Sequence, residues 1–312
     1  MRVFVAGATG AIGRRLVPML VEAGHEVTGL SRSEERAAAL RGQGAHGVVA
    51  DVFDREGLER AVVAARPEAV VHQLTDIPQA IDPKRFEEQF AGNDRLRSEG
   101  TPNLVAAARA AGARRIVAQS ISFAYAPAST QVATEDEPLA LEAPQPWRRS
   151  VHALRDLEQS VTATEGIEGV ALRYGYFYGP GTPFASDGSS AELVRKRRFP
   201  IVGGGTATWS FIHVDDAARV CLNALERGAP GSYNVTDDEP ALVRQWLPAY
   251  AEALGAPKPM RVPKLIARLA AGDHGVSIMT AARGASNVLA KGELGLELRY
   301  PSWREGFRAD LR

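Results

Sequence analysis

The stretch that most constrains this chain is Val3 Phe4 Val5 Ala6 Gly7 Ala8 Thr9 Gly10 Ala11 Ile12 Gly13, a short apolar strand that breaks at a glycine and re-enters as an amphipathic helix. Glycine permits the tight turn and lets another group approach the backbone closely. The first amides of the helix have no intrahelical partner and, with the positive end of the helix dipole, attract a pyrophosphate. A glycine triplet alone occurs often by chance; the strand before it and the helix after it are the context that a dinucleotide site requires. Gly7, Ala8, Thr9, Gly10, Ala11, Ile12 and Gly13 are therefore the first expected cofactor-binding residues.

Up to about residue 175, short β-branched runs alternate with helical stretches, as in a parallel sheet covered by helices. Six strands are expected, at 3–6, 26–30, 47–50, 69–74, 115–119 and 169–173, with helices such as 11–23 and 33–41, the latter capped by Ser33. The fold class is α/β, a Rossmann-type doubly wound parallel sheet. After Tyr174 a loop rich in Gly, Pro and Ser ends the regular alternation. Residues 209–212, the helix after His213 and residues 232–235 read as elements that return to the sheet. The division expected is a dinucleotide-binding domain over 1–175, rejoined by 206–236, and a smaller, mostly helical substrate region over 176–205 and 237–312.

Composition removes several classes. The chain has 312 residues with 37 Lys+Arg against 37 Asp+Glu. That balance argues against binding nucleic acid or an anionic membrane through bulk charge. The one basic run, Lys196 Arg197 Arg198, reads as a solvated helix end. Cys221 is the only cysteine, which excludes an intramolecular disulfide and a thiolate zinc site and fits a reducing cytoplasm. No metal site is expected, and no stretch approaches a membrane span. The amino terminus reads as a first strand rather than a signal.

Spacings of three and three between the glycines differ from the usual dinucleotide fingerprint, and resemble the short-chain dehydrogenase/reductase superfamily. Further matches point to its extended branch, the NAD-dependent epimerase/dehydratase family. They are Asp51 Val52 after the third strand, Asn93 in a long fourth helix, Tyr178 Gly179 Pro180 Gly181, Phe211 Ile212 His213 Val214 Asp215 Asp216, Glu293 Leu294 Gly295, and Tyr300 Pro301 Ser302 Trp303. The resemblance covers nearly the whole chain. It implies a nicotinamide cofactor, with Asp51 and Val52 at the adenine, and Leu74 and Gln119, at strand ends, completing the cofactor set. The second strand ends in Leu30 Ser31 Arg32 Ser33, where a carboxylate would bind the adenosine ribose hydroxyls. Ser31 and Arg32 instead suit a 2′-phosphate, so NADP is expected and NAD is the alternative.

Members of this superfamily usually carry Tyr and Lys four residues apart on one helix, the cation making the phenol a usable acid or base. None of the seven tyrosines here is followed by such a lysine, and the chain has no lysine between Lys84 and Lys196. With Glu158 aligned to the family's glutamate, Ser150 and Leu154 occupy the pair's positions, and the usual catalytic Ser or Thr position holds Ile121. An atypical subgroup is implied. Ser120, Tyr125, Ser150 and Tyr174 are the expected catalytic candidates, with His152 a weaker one.

The arginine that clamps a sugar nucleotide in related enzymes is also missing, its positions being Trp209 and Ser210, so a small molecule other than a nucleotide sugar is expected. Trp147, Trp209, Tyr174, Tyr176, Phe177 and Tyr178 can wall a pocket for flat or apolar molecules. The leading expectation is an NADP-dependent oxidoreductase acting on a small carbonyl or alcohol. An epimerase, isomerase or dehydratase that retains its cofactor, and a non-catalytic NADP sensor, are the alternatives. The resemblance makes a helix-paired homodimer plausible.

Overall fold

The computed structural model describes residues 1–311. Seven parallel strands form one sheet: β1 (Arg2–Ala6), β2 (Glu26–Ser31), β3 (His46–Val49), β4 (Ala69–His72), β5 (Arg115–Ile121), β7 (Glu168–Tyr174) and β12 (Gly231–Val235). A two-residue β6 (Val132–Ala133) lies outside it. The order is β12-β7-β5-β4-β1-β2-β3. The chain thus builds outward from β1 through β2 to β3, then crosses back to place β4 on the other side of β1. The switch between β1 and β4 opens a crevice at the carboxyl ends of the strands, where this architecture binds ligands.

Strand alternation sorts the core into two layers. Val3, Val5, Val71, Val117 and Val170 pack with Leu16, Val17 and Leu20 of α1 (Gly13–Glu22) and with Val214, Ala217, Ala218 and Cys221 of α8 (Val214–Asn223). Phe4, Ala6, Val70, Ile116 and Ala118 face the opposite way, onto α3 (Arg55–Ala65), α5 (Thr101–Ala110) and α6 (Trp147–Thr162). Burial on both faces is why these strands read as nearly continuous apolar runs. Between β2 and β3, α2 (Glu34–Arg41) starts at Ser33, whose side chain accepts a hydrogen bond from the amide of Arg36. The long fourth helix is interrupted: α4 (Phe86–Arg95) passes through a π-helical turn, Leu96–Gly100, into α5.

Residues 209–212 do not return to the main sheet. They form two short pairs beside it: β10 (Thr208–Trp209) runs antiparallel to β13 (Ala241–Leu242), and β11 (Phe211–His213) runs parallel to β8 (Tyr176–Tyr178). The bend at Gly175 carries the chain away from β7, and the amide of Tyr176 then bonds Ser210 rather than the sheet. Residues 232–235 do join the sheet, as β12 beside β7. A short β9 (Ile201–Val202) pairs with β14 (Arg261–Val262), and β15 (Gly284–Ala285) pairs with β6.

The expected aromatic pocket is instead largely a second core. Tyr178, Phe184, Trp209, Phe211, Trp246, Tyr250, Trp303 and Phe307 are buried together, uniting β8, β10 and β11 with α9 (Val243–Ala253) and α12 (Trp303–Asp310). Ala191 and Val194 of α7 (Ser189–Arg195) join the same cluster. Tyr176 is stacked between Phe123, at 4.2 Å, and Trp209, at 3.9 Å. These rings satisfy one another by offset and edge contacts. Between α9 and α12 in the chain, α10 (Lys264–Thr280) is broken at Gly272 (φ +66°), and α11 spans Val288–Glu293.

Candidate cofactor and reaction site

The turn after β1 folds tightly against the crossover from β4. Gly7 has φ +92°, and a Cβ there would lie 2.5 Å from the carbonyl of Gln73. A Cβ on Gly13 would lie 2.2 Å from the Gly7 oxygen, so both positions require glycine. The amide of Gly10 closes the turn onto Gly7 O at 3.0 Å. From this turn a cleft of about 380 Å³ runs over the ends of β1, β2, β3 and β4.

Eight of the expected cofactor residues line that cleft: Gly7, Thr9, Gly10, Ser31, Arg32, Asp51, Val52 and Leu74. Ala8 and Ile12 turn into the core, Ala11 packs against it, and Gly13 lies inside the turn. Gln119 is on β5 and does not line the cleft. Sequence reasoning missed Arg36, Phe53, Thr75, Asp76 and Arg95, which do. Arg36 was within reach, because it follows the Ser33 cap in the first turn of α2. Nothing local marks Arg95, which tertiary packing brings to Phe53 across some forty residues.

Three arginines, Arg32, Arg36 and Arg95, line the cleft. Among the described residues, the side chains of Arg32 and Arg36 make no hydrogen bond or ion pair, whereas Arg95 is held by Glu99 at 2.7 and 2.8 Å and lies 3.9 Å over the Phe53 ring. The amide of Phe53 donates to Asp51 Oδ1 at 2.9 Å, and the second carboxylate oxygen makes no hydrogen bond among the described residues. A glycine turn with no room for side chains, a carboxylate at the third strand and two unpaired arginines at the second fit a nicotinamide dinucleotide.

The four catalytic candidates do not converge on this cleft. Ser120 donates to Glu158 Oε1 at 2.6 Å, and Glu158 is gripped by Arg173 at 2.8 and 2.7 Å. Arg173 also donates to the Tyr125 hydroxyl at 2.8 Å, which in turn donates to Asn234 at 2.7 Å. Burial outweighs that arginine and pushes the Tyr125 phenol above its usual range. Ser150 donates to Asp94 Oδ2 at 3.1 Å. Tyr174 lies in the other core layer, its hydroxyl 3.3 Å from Ala217 O, and burial raises its phenol well above the ordinary value. His152 Nε2 is 3.1 Å from Leu141 O. Helix α6 itself contains neither tyrosine nor lysine.

Fold and cleft together define a dinucleotide-binding α/β protein. Residues 3–236 match the NAD dependent epimerase/dehydratase family, and the chain belongs to that family. Over 307 residues, 98% of this chain and 99% of the relative, it is 48% identical to 3-diazoavenalumate denitrifying reductase of a Streptomyces species. It is 29% identical, over 82% of this chain and 74% of the relative, to 4-hydroxy-2-methyl-3-oxo-4-farnesyl-3,4-dihydroquinoline-1-oxide ketoreductase of Stigmatella aurantiaca. Among solved structures, the UDP-glucose 4-epimerase of Thermus thermophilus in complex with NAD superposes with a TM-score of 0.75 at 25% identity, covering 100% of this chain and 98% of that one. The protein is an NAD(P)-dependent oxidoreductase of this family, and no helix among the described residues is long and apolar enough to cross a membrane.

Proposed function

We propose that this protein is an NADPH-linked reductase of a small organic acid bearing a diazo group, which it converts to the hydrogen-substituted product with loss of dinitrogen. The observation that carries this reading is the 48% identity, end to end, to a reductase named for a diazo substrate. When bound, the reduced nicotinamide supplies a hydride equivalent. Replacing a diazonium group by hydrogen breaks the C–N bond, forms a C–H bond and releases dinitrogen. Unlike carbonyl reduction, it develops no alkoxide that needs an acid. A chain without the Tyr–Lys pair suits that chemistry.

In this reading Gly7, Thr9 and Gly10 cradle the pyrophosphate, and the amides of Ile12 and Gly13, which make no backbone hydrogen bond among the described residues, face it. Ser31 and Arg32, joined by Arg36, hold the 2′-phosphate, while Asp51 and Val52 receive the adenine. Residues 1–175 with 206–236 form the cofactor-binding part, and 176–205 with 237–312 face the substrate. Ser120, Tyr125, Ser150 and Tyr174 act as structural supports, because each is buried and already hydrogen-bonded. Carbonyl reduction is a second reading, favoured by the relative named as a ketoreductase.

The test is titration with NADPH and NADH, followed by turnover on a panel of aryl diazonium carboxylates and ketones. The expected result is tighter NADPH binding, and NADPH consumption matched by dinitrogen release. Turnover of ketones alone would replace the first reading with the second. NADPH binding without turnover of either class would favour a sensor.

A further inference from the structure

Arg95 and Phe53 form a flat surface in the cofactor cleft. Arg95 is the last residue of α4 and lines the cleft together with Phe53, Val52 and Leu96. Its guanidinium lies 3.9 Å over the Phe53 ring, close enough to stack. Its Nε and one terminal nitrogen donate to the two carboxylate oxygens of Glu99 at 2.7 and 2.8 Å. A fork of this kind lies in the guanidinium plane and occupies an edge, so it fixes the plane without covering its faces. One face rests on Phe53, and among the described residues no second ring lies against the other. The side chain is 55% exposed, which leaves that second face to the cleft.

Charge separates Arg95 from the other two arginines of the cleft. Arg32 and Arg36 have no carboxylate partner, the form that suits a phosphate, whereas Glu99 neutralises Arg95 and Asp51 acts on it through space. A neutralised guanidinium held in one orientation attracts a phosphate weakly but keeps its plane, and such planes stack on heteroaromatic bases. The surroundings fit a purine. Val52 and Leu96 are buried apolar walls, and Asp51 keeps one carboxylate oxygen without a hydrogen bond among the described residues, an acceptor for an exocyclic amino group. We infer that Arg95, seated on Phe53 and held by Glu99, is the stacking platform for the adenine of the cofactor and reads the base, not the 2′-phosphate. This role rests on the cofactor reading given above and deepens it at the adenine end.

The experiment titrates the full chain with NADPH and with NADH by calorimetry, in the wild type and two variants. Arg95→Lys keeps a charge beside Glu99 but loses the plane. The double variant Arg95→Ala/Glu99→Ala removes the plane and leaves no stray carboxylate. Both should weaken NADPH and NADH by the same factor, roughly 5- to 100-fold, the range for one lost base-stacking contact. Because the pair is on the surface, the cofactor-free melting temperature of each variant should stay within about 3 °C of the wild type. Unchanged affinity for both cofactors in the double variant would overturn the assignment. So would near-native binding in Arg95→Lys, which shows that a point charge is enough, or a loss confined to NADPH, which makes Arg95 a phosphate ligand. A larger fall in melting temperature would mark Arg95 as part of the scaffold and overturn it too. If the wild type binds neither cofactor, the cofactor reading fails and the platform with it, whereas wild-type binding that the double variant retains removes the platform alone.

Discussion

Arg173 on β7 grips Glu158 of α6 with two parallel hydrogen bonds, and both side chains are only 8% exposed. The pair ties the strand to the helix and draws in Ser120 and Tyr125, so residues that resemble proton donors in the sequence serve as acceptor and donor partners of a buried ion pair. Removing one partner strands the other charge. Glu158→Ala should cost about 3–5 kcal/mol in urea unfolding, with the double variant costing less than the sum of the single ones. Additive losses would show that the pair is not coupled.

The 2′-phosphate assignment makes a discriminating prediction. Arg32→Ala should weaken NADPH roughly 10- to 100-fold, the range for a lost charge-assisted hydrogen bond, and change NADH affinity by less than about threefold. Arg36→Ala should act in the same direction more weakly, because Arg36 is one turn into α2. Equal losses for both cofactors, measured by fluorescence titration, would reassign these arginines.

Gly13→Ala tests the turn. Its Cβ would meet Gly7 O at 2.2 Å and the Ala8 carbonyl at 2.5 Å, both backbone atoms that cannot swing aside. Binding of NADPH should be lost, and the protein should be destabilised by about 2 kcal/mol or more. Near-native cofactor affinity in this variant would mean that the cleft is not the pyrophosphate site.

Acid sensitivity follows from His72. Burial is the main cause, with the Arg97 charge assisting, and its imidazole is pushed down from 6.5 to about 4. The unfolded chain therefore takes up this proton at a higher pH than the native one. The neutral-histidine contribution is complete above about pH 6.5 and is lost as pH falls toward 4, an effect of about 3 kcal/mol. His72→Asn keeps an acceptor for the Leu74 amide and should flatten the stability profile between pH 6.5 and 4. An unchanged slope in chemical denaturation would place the acid sensitivity elsewhere.

Local physics made the dinucleotide half legible. A five-residue apolar strand, a glycine turn whose geometry excludes side chains, and Ser33 before a helical run each act over a few neighbours, and the strands and cap appear where those patterns place them. Strand ends were less legible: β4 stops at His72, and α1 begins at Gly13, because the turn consumes the residues around Ala11. The stretch around Trp209 was misplaced because apolar alternation reports a strand but not its partner, and the bend after Tyr174 sent it to a separate pair.

By itself, the sequence determined the α/β class, the glycine turn after β1, the cationic end of β2 and the absence of a lysine where the family's chemistry would place one. Only the tertiary structure decided which polar residues work together. It brought Arg95 onto Phe53, locked Ser120, Tyr125, Glu158 and Arg173 into one network, and set Tyr174 on the far side of the sheet. Short-range preferences are written residue by residue, whereas charge balance in a core depends on which distant carboxylates and guanidiniums the packing allows to meet.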